Sequence, residues 1–276
     1  MPKFKKQGIK TIIHRKIKGR IISGTISKSK TNKFFISLSC ESKEPFDQLE
    51  KNINAVGVDL GIKSFLVFSN GEEIENPKLL RTQSNKIKHE QRRFSKTLKG
   101  SNNRNKKRIV VAKKFEKVSN QRNDFLQKLS TRIIRENQTV VLEDLNVKGM
   151  MGNHKLAGAI GDCSWSSFVK QLQYKADWYG REIIFVNRFF PSSKTCFDCG
   201  WINKNLTLKD RSWTCDACGV AHQRDLNAAK NIKKQGLNLK NMSGLGIKSD
   251  NKQKLGEASG RKRSLRNEKP PLLKRK

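Results

Sequence analysis

Ala55-Val56-Gly57-Val58-Asp59-Leu60-Gly61-Ile62-Lys63-Ser64-Phe65 is the stretch on which the fold turns. It reads as a short buried β-strand whose apolar run is broken by one carboxylate, with glycine on either side of Val58-Asp59-Leu60. A charge inside an apolar strand is costly unless something compensates it, and a bound cation is a common compensator. Asp59 therefore has two readings: a metal ligand, or a strand-end aspartate that caps the following turn. Partners elsewhere in the chain decide between them.

Thr139-Val140-Val141-Leu142-Glu143-Asp144-Leu145 is a second apolar strand that ends in carboxylates. Asp144 would point to the other side of that strand from Glu143, which makes it the weaker candidate ligand. Further on, Ala221-His222-Gln223-Arg224-Asp225-Leu226-Asn227-Ala228-Ala229-Lys230-Asn231-Ile232 reads as a helix able to pack tightly on a sheet, with Asp225 in its first turn. Asp59, Glu143 and Asp225 would suit a pair of Mg²⁺ or Mn²⁺ ions. Such ions sit about 3.5–4 Å apart and clamp the attacking and leaving oxygens of a phosphodiester. Mg²⁺ takes a few carboxylates plus water and substrate oxygens, so three acids suffice.

Cys196-Phe197-Asp198-Cys199-Gly200 and Cys215-Asp216-Ala217-Cys218-Gly219 are two knuckles separated by 15 residues. Each sets two thiolates on a tight turn, and together they predict a closed tetrahedral site for structural Zn²⁺. The competing reading is a redox dithiol. Cys40 and Cys163 have no such spacing and read as small buried residues.

With 59 Lys+Arg against 24 Asp+Glu, the 276-residue chain carries a formal charge of +35. A generic solvated surface mixes its charges, so an excess of one sign points to a polyanionic partner, nucleic acid first. No apolar run reaches the 18 or so residues of a transmembrane helix. Met1-Pro2-Lys3-Phe4-Lys5-Lys6 lacks the apolar centre of a secretory signal. Paired Cys-x-x-Cys motifs favour metal in a reducing compartment. A cytoplasmic, nucleoid-associated protein is expected.

Residues 1–50, with twelve basic side chains against four acids, read as three short antiparallel strands around Thr11–Ile13, Arg20–Ile26 and Lys33–Leu38. After the Asp59 strand come Ser64–Phe68, the hairpin turn Ser69-Asn70-Gly71, and a strand near Glu72–Glu75. From Pro77 the apolar period becomes helical, which predicts a helical hairpin over 78–136 with a polar turn at 99–104. It holds 19 Lys/Arg and four acids. Lys86, Lys88, Arg92, Arg93, Arg104, Lys106, Lys107 and Arg108 are the candidate phosphate contacts. Residues 146–163 are glycine-rich and read as a mobile loop beside the site. Ser164 can cap a helix whose apolar face is Trp165, Phe168, Val169, Leu172, Ala176 and Tyr179. Arg181–Asn187 reads as a further strand, and the basic tail 237–276 as disordered.

Gly57–Lys63, Leu142–Val147, Phe190–Cys196 and Arg224–Ala229, in this order and spacing, resemble the TnpB (OrfB) family over residues 2 to 236. These are accessory nucleases of insertion-sequence transposons, related to type V CRISPR effectors. The resemblance implies an α/β RNase H-like (RuvC) nuclease with a mixed sheet, a helical-hairpin insert and a zinc ribbon. Its parts would be a partial β-barrel wedge segment at 1–50, a RuvC domain at 51–193, a zinc ribbon at 194–220 and a last RuvC helix at 221–236. It also implies metal-dependent cleavage of DNA directed by a guide RNA from the transposon end, with Asp59, Glu143 and Asp225 as catalytic acids. Two departures stand out. Gln223 replaces a frequent acid, and the chain starts inside the last part of the wedge, so the lobe that grips guide and target is expected to be missing. A nucleic-acid-binding remnant or regulator that does not cut is the competing function. A basic zinc-ribbon protein of the ribosome or transcription machinery would leave the two strand-end carboxylates unexplained.

Overall fold

The computed structural model describes residues 10–14, 17, 19–41, 48–207 and 209–244, so the amino-terminal Met1–Lys6 and the tail 245–276 lie outside the described residues. Along the chain come β1 (Arg20–Lys28), β2 (Phe34–Glu41), β3 (Ala55–Leu60), β4 (Ser64–Phe68), β5 (Glu73–Glu75), α1 (Leu79–Ser95), α2 (Asn102–Glu136), β6 (Thr139–Glu143), α3 (Val147–Met150), α4 (Ala157–Cys163), α5 (Trp165–Tyr179), β7 (Glu182–Val186), β8 (Ser212–Thr214), β9 (Ala221–Gln223) and α6 (Arg224–Gly244). The described residues up to Asn238 form one compact unit, and those from Leu239 group separately.

The centre is a mixed five-stranded sheet in the order β5-β4-β3-β6-β7. β3 runs parallel to β6, and β6 to β7, while β4 and β5 return antiparallel on the other side of β3. Side chains alternate across a strand, and the two faces of β3 and β6 bury different helices. Val56, Val58, Val140 and Leu142 join a core with Leu126, Ile133 and Ile134 of α2 and Phe168, Leu172 and Ala176 of α5. On the opposite face Val141 packs with Ile232 of α6. The periodicity of 125–133 and of 165–179 is thus a core face, whereas Phe115, earlier on α2, is exposed.

α6 lies unusually close to the sheet. A Cβ placed on Gly57 would stand 2.2 Å from the Ala229 carbonyl oxygen and 2.7 Å from the Lys233 nitrogen. A Cβ on Gly236 would stand 2.2 Å from a Val141 methyl. Glycine in the strand therefore admits the helix backbone, and glycine in the helix admits a strand side chain. This corrects the expected helix end at 236: Gly236 is a packing contact and not a stop, and α6 runs on to Gly244.

Three other expectations need correction. Thr11–Ile13 is not a strand. Ile12 and Ile13 are 80% and 65% exposed, and among the described residues of this region strand pairing is between β1 and β2. Cys40, on β2, is exposed and not buried. Residues 146–163 are not a loop, because α3 and α4 form there. Asp162 of α4 explains part of this order: its carboxylate accepts the Leu80 and Arg81 backbone N–H groups at 3.0 and 3.3 Å. It also pairs with Arg122 at 2.7 Å. Negative charge is favourable at a helix start, where the N–H groups are unpaired, so α4 caps α1 and ties it to α2. Ser164, for its part, adopts a left-handed conformation at the α4–α5 junction and makes no side-chain cap.

Gly57→Ala tests the close approach of α6. It is expected to cost at least about 1–3 kcal/mol through overpacking and to lower the melting temperature by several degrees. An unchanged thermal melt would mean that the helix can lift off the sheet freely.

Candidate active site

Val58 of β3 is level with Leu142 of β6 in the parallel ladder. The next residue of each strand is Asp59 and Glu143, so the two carboxylates leave the sheet side by side at adjacent strand ends. Both belong to the alternation set that faces α6, with Gly57 and Val141. α6 begins at Arg224, and Asp225 in its first turn is the third acid. The structure brings Glu143 and Asp225 within electrostatic reach of Asp59. Burial, and then the charges of Glu143 and Asp225, push the Asp59 carboxyl from its ordinary 3.8 up to about 8, while Arg224 opposes the shift. Burial also raises Glu143, against a hydrogen bond that the Ser192 hydroxyl donates to its Oε1 at 2.5 Å.

Asp225 is held by arginines. Arg224 donates to its Oδ1 from Nε at 3.0 Å and pairs through a terminal nitrogen at 2.9 Å, and Arg211 approaches Oδ2 at 3.6 Å. Asp144 points elsewhere, as its position in the strand predicts, and pairs with Arg188. Among the described residues, three or more ligand atoms within 4.8 Å of one another occur at Cys196/Cys199/Cys215/Cys218 and at Cys196/Asp198/His222, and not at the three acids. A hard cation fits this donor set, since it would neutralise charge that is crowded around Asp59 and offset there by one arginine.

Sequence reading missed Ser192, Asn227 and Asn231. The two asparagines are buried on α6 and donate to the Thr195 carbonyl at 2.7 and 2.6 Å, and Asn231 also to the Ser192 carbonyl at 2.8 Å. They fix the segment that carries Ser192 and the first knuckle. The available signal was two asparagines four residues apart on an otherwise alanine-rich helix face.

The four cysteine sulfurs converge. Sγ of Cys196 lies 3.7 Å from that of Cys218, and Cys199 lies 3.6 Å from Cys215. A tetrahedral four-thiolate site with metal–sulfur distances of about 2.3 Å has edges of about 3.8 Å, so the donor set fits. Gly200 and Gly219 close the two turns with φ of 80° and 73°, values an L side chain rarely adopts. Each donates its N–H to the first cysteine carbonyl of its knuckle, at 2.9 and 2.8 Å.

On the helical hairpin, Asn85, Lys88, His89, Arg92, Arg93 and Lys96 form one exposed stripe along α1. Lys86, Lys106 and Arg108 are exposed as well, and Lys107 is half-buried. Arg104 is committed to the interhelix turn: its guanidinium lies 4.4 Å from the Phe94 ring centroid and donates to the Thr97 carbonyl at 2.8 Å. The hairpin meets the β1–β2 ribbon where Lys33 and Thr31 donate to Glu116 at 3.1 and 3.0 Å, which holds that carboxyl below its ordinary range.

Asp59 supplies a pH test. Its folded pKa lies above its unfolded value, so its contribution to stability is complete below about pH 4 and is lost as pH rises to about 8. In chelator-treated protein, melting temperature should decline over that interval more steeply in the wild type than in Asp59→Asn. Identical pH profiles for the two proteins would contradict the crowding of the three acids.

Two family models match: OrfB_IS605, described as "Probable transposase", over residues 37–154, and "Cas12f1-like, TNB domain" over residues 165–232. A protein of Streptomyces pristinaespiralis named "Putative RNA-guided DNA endonuclease" is 46% identical over 213 residues, 77% of this chain and 52% of its own length. The Escherichia coli protein InsQ, similarly named, is 27% identical over 79% of this chain and 57% of its own. A chain in a cryo-EM structure of a Cas12f1–sgRNA–target DNA complex is 19% identical, with a TM-score of 0.49, covering 76% of this chain and 55% of that one. The chain thus spans about half the length of the curated relatives it matches. Both family models fall within residues 2 to 236, over which the motifs carry the resemblance, and the chain belongs to the TnpB (OrfB) family.

Proposed function

We propose that this chain carries the RuvC-type, RNase H-like nuclease domain of an RNA-guided DNA endonuclease, with Asp59, Glu143 and Asp225 as its catalytic acids. The observation that carries the reading is the Asp59 carboxyl, half-buried beside two further carboxylates and driven up to about 8. Such crowding is costly in a protein that only binds. Mg²⁺ or Mn²⁺, when bound there, supplies Lewis-acid activation of water and neutralises charge on the leaving oxygen. The three acids hold the ions, and Ser192 orients Glu143 by its hydroxyl. Lys88, Arg92, Arg93 and Lys96 form an exposed basic stripe suited to a phosphate backbone. Cys196, Cys199, Cys215 and Cys218 hold Zn²⁺, which is structural because four thiolates leave no open position. The relatives' names supply the DNA substrate and the RNA guide, here a transcript of the transposon end. The reading places the protein in the cytoplasm, on the nucleoid. Among the described residues no helix is long and apolar enough to cross a membrane.

Cleavage of DNA is expected to require Mg²⁺ or Mn²⁺ and to fall at least about a hundredfold in Asp59→Ala, Glu143→Ala and Asp225→Ala, with the fold retained. That is the upper end of what even an outer-shell partner of a metal costs when removed. Ca²⁺, larger and looser in geometry, should support binding without cutting. Activity that survives any of the three substitutions would move the active site elsewhere. Binding with no cleavage under any metal would favour the non-cutting regulator.

Affinity for DNA or RNA should drop steeply with salt, since each neutralised phosphate releases counterions. Replacing Lys86, Lys88, Arg92 and Arg93 together should flatten the log–log slope by about 0.9 for each duplex phosphate that is no longer neutralised. An unaltered slope would mean that α1 faces something other than nucleic acid.

Elemental analysis of purified protein should find one zinc per chain, and Cys215→Ala should lose it, because metal binding and local folding are coupled at such sites. Zinc content that is unchanged in the variant would count against the four-cysteine assignment.

A further inference from the structure

His222 stands just outside the four sulfurs. Its Nε2 lies 3.1 Å from Sγ of Cys196 and 3.8 Å from the Asp198 carboxylate. The ring is buried, 9% exposed, and packs against Trp213 with centroids 4.8 Å apart. Trp213 and His222 are register partners in the β8–β9 hairpin. A metal-bound thiolate is an acceptor with no proton of its own, so a contact at this distance requires the proton to reside on Nε2. The bond is then N–H···S, made to one specific ligand.

That ligand and that donor sit at the two roots of the acid-bearing helix. β9 runs without a loop into α6, and Asp225 follows His222 by three residues. From the other side, Asn227 accepts the Phe197 N–H at 3.0 Å and donates to the Thr195 carbonyl at 2.7 Å, which brackets Cys196. Arg224 completes the frame, because its N–H donates to the Arg211 carbonyl at 2.8 Å, and both arginines engage Asp225. The first two turns of α6 are therefore gripped by both halves of the cysteine module. The Cys196–His222 contact crosses between those halves.

We propose that His222 is a positioning residue that binds the Cys196 thiolate through Nε2–H and so couples the four-thiolate metal centre to the placement of Asp225. The coupling rests on the reading of the three acids as a divalent-metal site. Filling the thiolate centre draws the two knuckles together, and the histidine transmits that closure to β9 and the start of α6. An emptied centre frees Cys196, and with it the frame that fixes Asp225 opposite Asp59 and Glu143.

The test compares the full-length wild type with His222→Phe, which keeps the packing on Trp213 but cannot donate, and His222→Gln, whose amide can. Zinc transfer to a chromogenic chelator should accelerate about tenfold or more in His222→Phe, the usual cost of losing an outer partner of a metal ligand. In cobalt-substituted protein the thiolate-to-metal charge-transfer band should move to lower energy, because a hydrogen bond stabilises the sulfur lone pairs. His222→Gln should restore both. With zinc still bound at one per chain, Mn²⁺ affinity read by electron paramagnetic resonance should weaken severalfold in His222→Phe. A wild-type release rate and band position in His222→Phe would overturn the N–H···S bond. An unchanged Mn²⁺ affinity, with the band shifted, would overturn the coupling alone. If the wild type has no Mn²⁺ site sensitive to Asp59→Asn, the nuclease reading and the coupling fall together, while the band still decides the bond.

Discussion

The contact between the α6 backbone and the face of β3 organises this molecule. Gly57 lacks a side chain where the Ala229 carbonyl and Lys233 nitrogen approach, and Gly236 lacks one where Val141 rises from β6. With helix and sheet this close, the helix start falls over the C-terminal ends of the parallel strands. Asp225 is thereby brought toward Asp59 and Glu143. A bulkier residue at position 57 would lift the helix and separate the acids, so the backbone contact sets the electrostatics above it.

Those electrostatics are unfavourable by themselves. Asp59 carries the largest burden, because burial and two neighbouring charges both oppose its ionisation. Arg224 and Arg211 offset part of it through Asp225, and the Ser192 hydroxyl offsets part through Glu143. The residues that provide this support lie in or next to the cysteine module: Ser192 precedes the first knuckle, Arg211 precedes β8, and Arg224 follows β9. The module is therefore wired into the site through side chains as well as through chain connectivity. The hairpin α1–α2 sits on the opposite face of the sheet, held by Asp162 at one end and by the Glu116 contacts to the β1–β2 ribbon farther along.

The strand alternation, the helical period of 78–136, the two knuckles and the acids at strand ends were legible in the sequence because each is a local pattern with one physical cause. Where reading failed, a distant partner had intervened. The glycines at 149, 152, 158 and 161 suggested a loop, yet Asp162 finds the α1 N-terminus and α4 forms. Gly236 suggested an end, yet it meets Val141. Thr11–Ile13 had strand composition but acquired no ladder.

The sequence by itself determined where the candidate groups stand in the chain: carboxylates placed in apolar strands, thiolates paired across tight turns, and a large excess of basic over acidic side chains. Residue type and local spacing are enough for that. Tertiary structure decided how these groups meet. Asp59 and Glu143 stand side by side because of the parallel register of β3 and β6, and Asp225 faces them because two glycines allow a helix to lie on the sheet. His222, Ser192, Asn227 and Asn231 acquired roles through contacts between segments far apart in the chain. Contacts of that kind depend on distances that only the folded backbone sets.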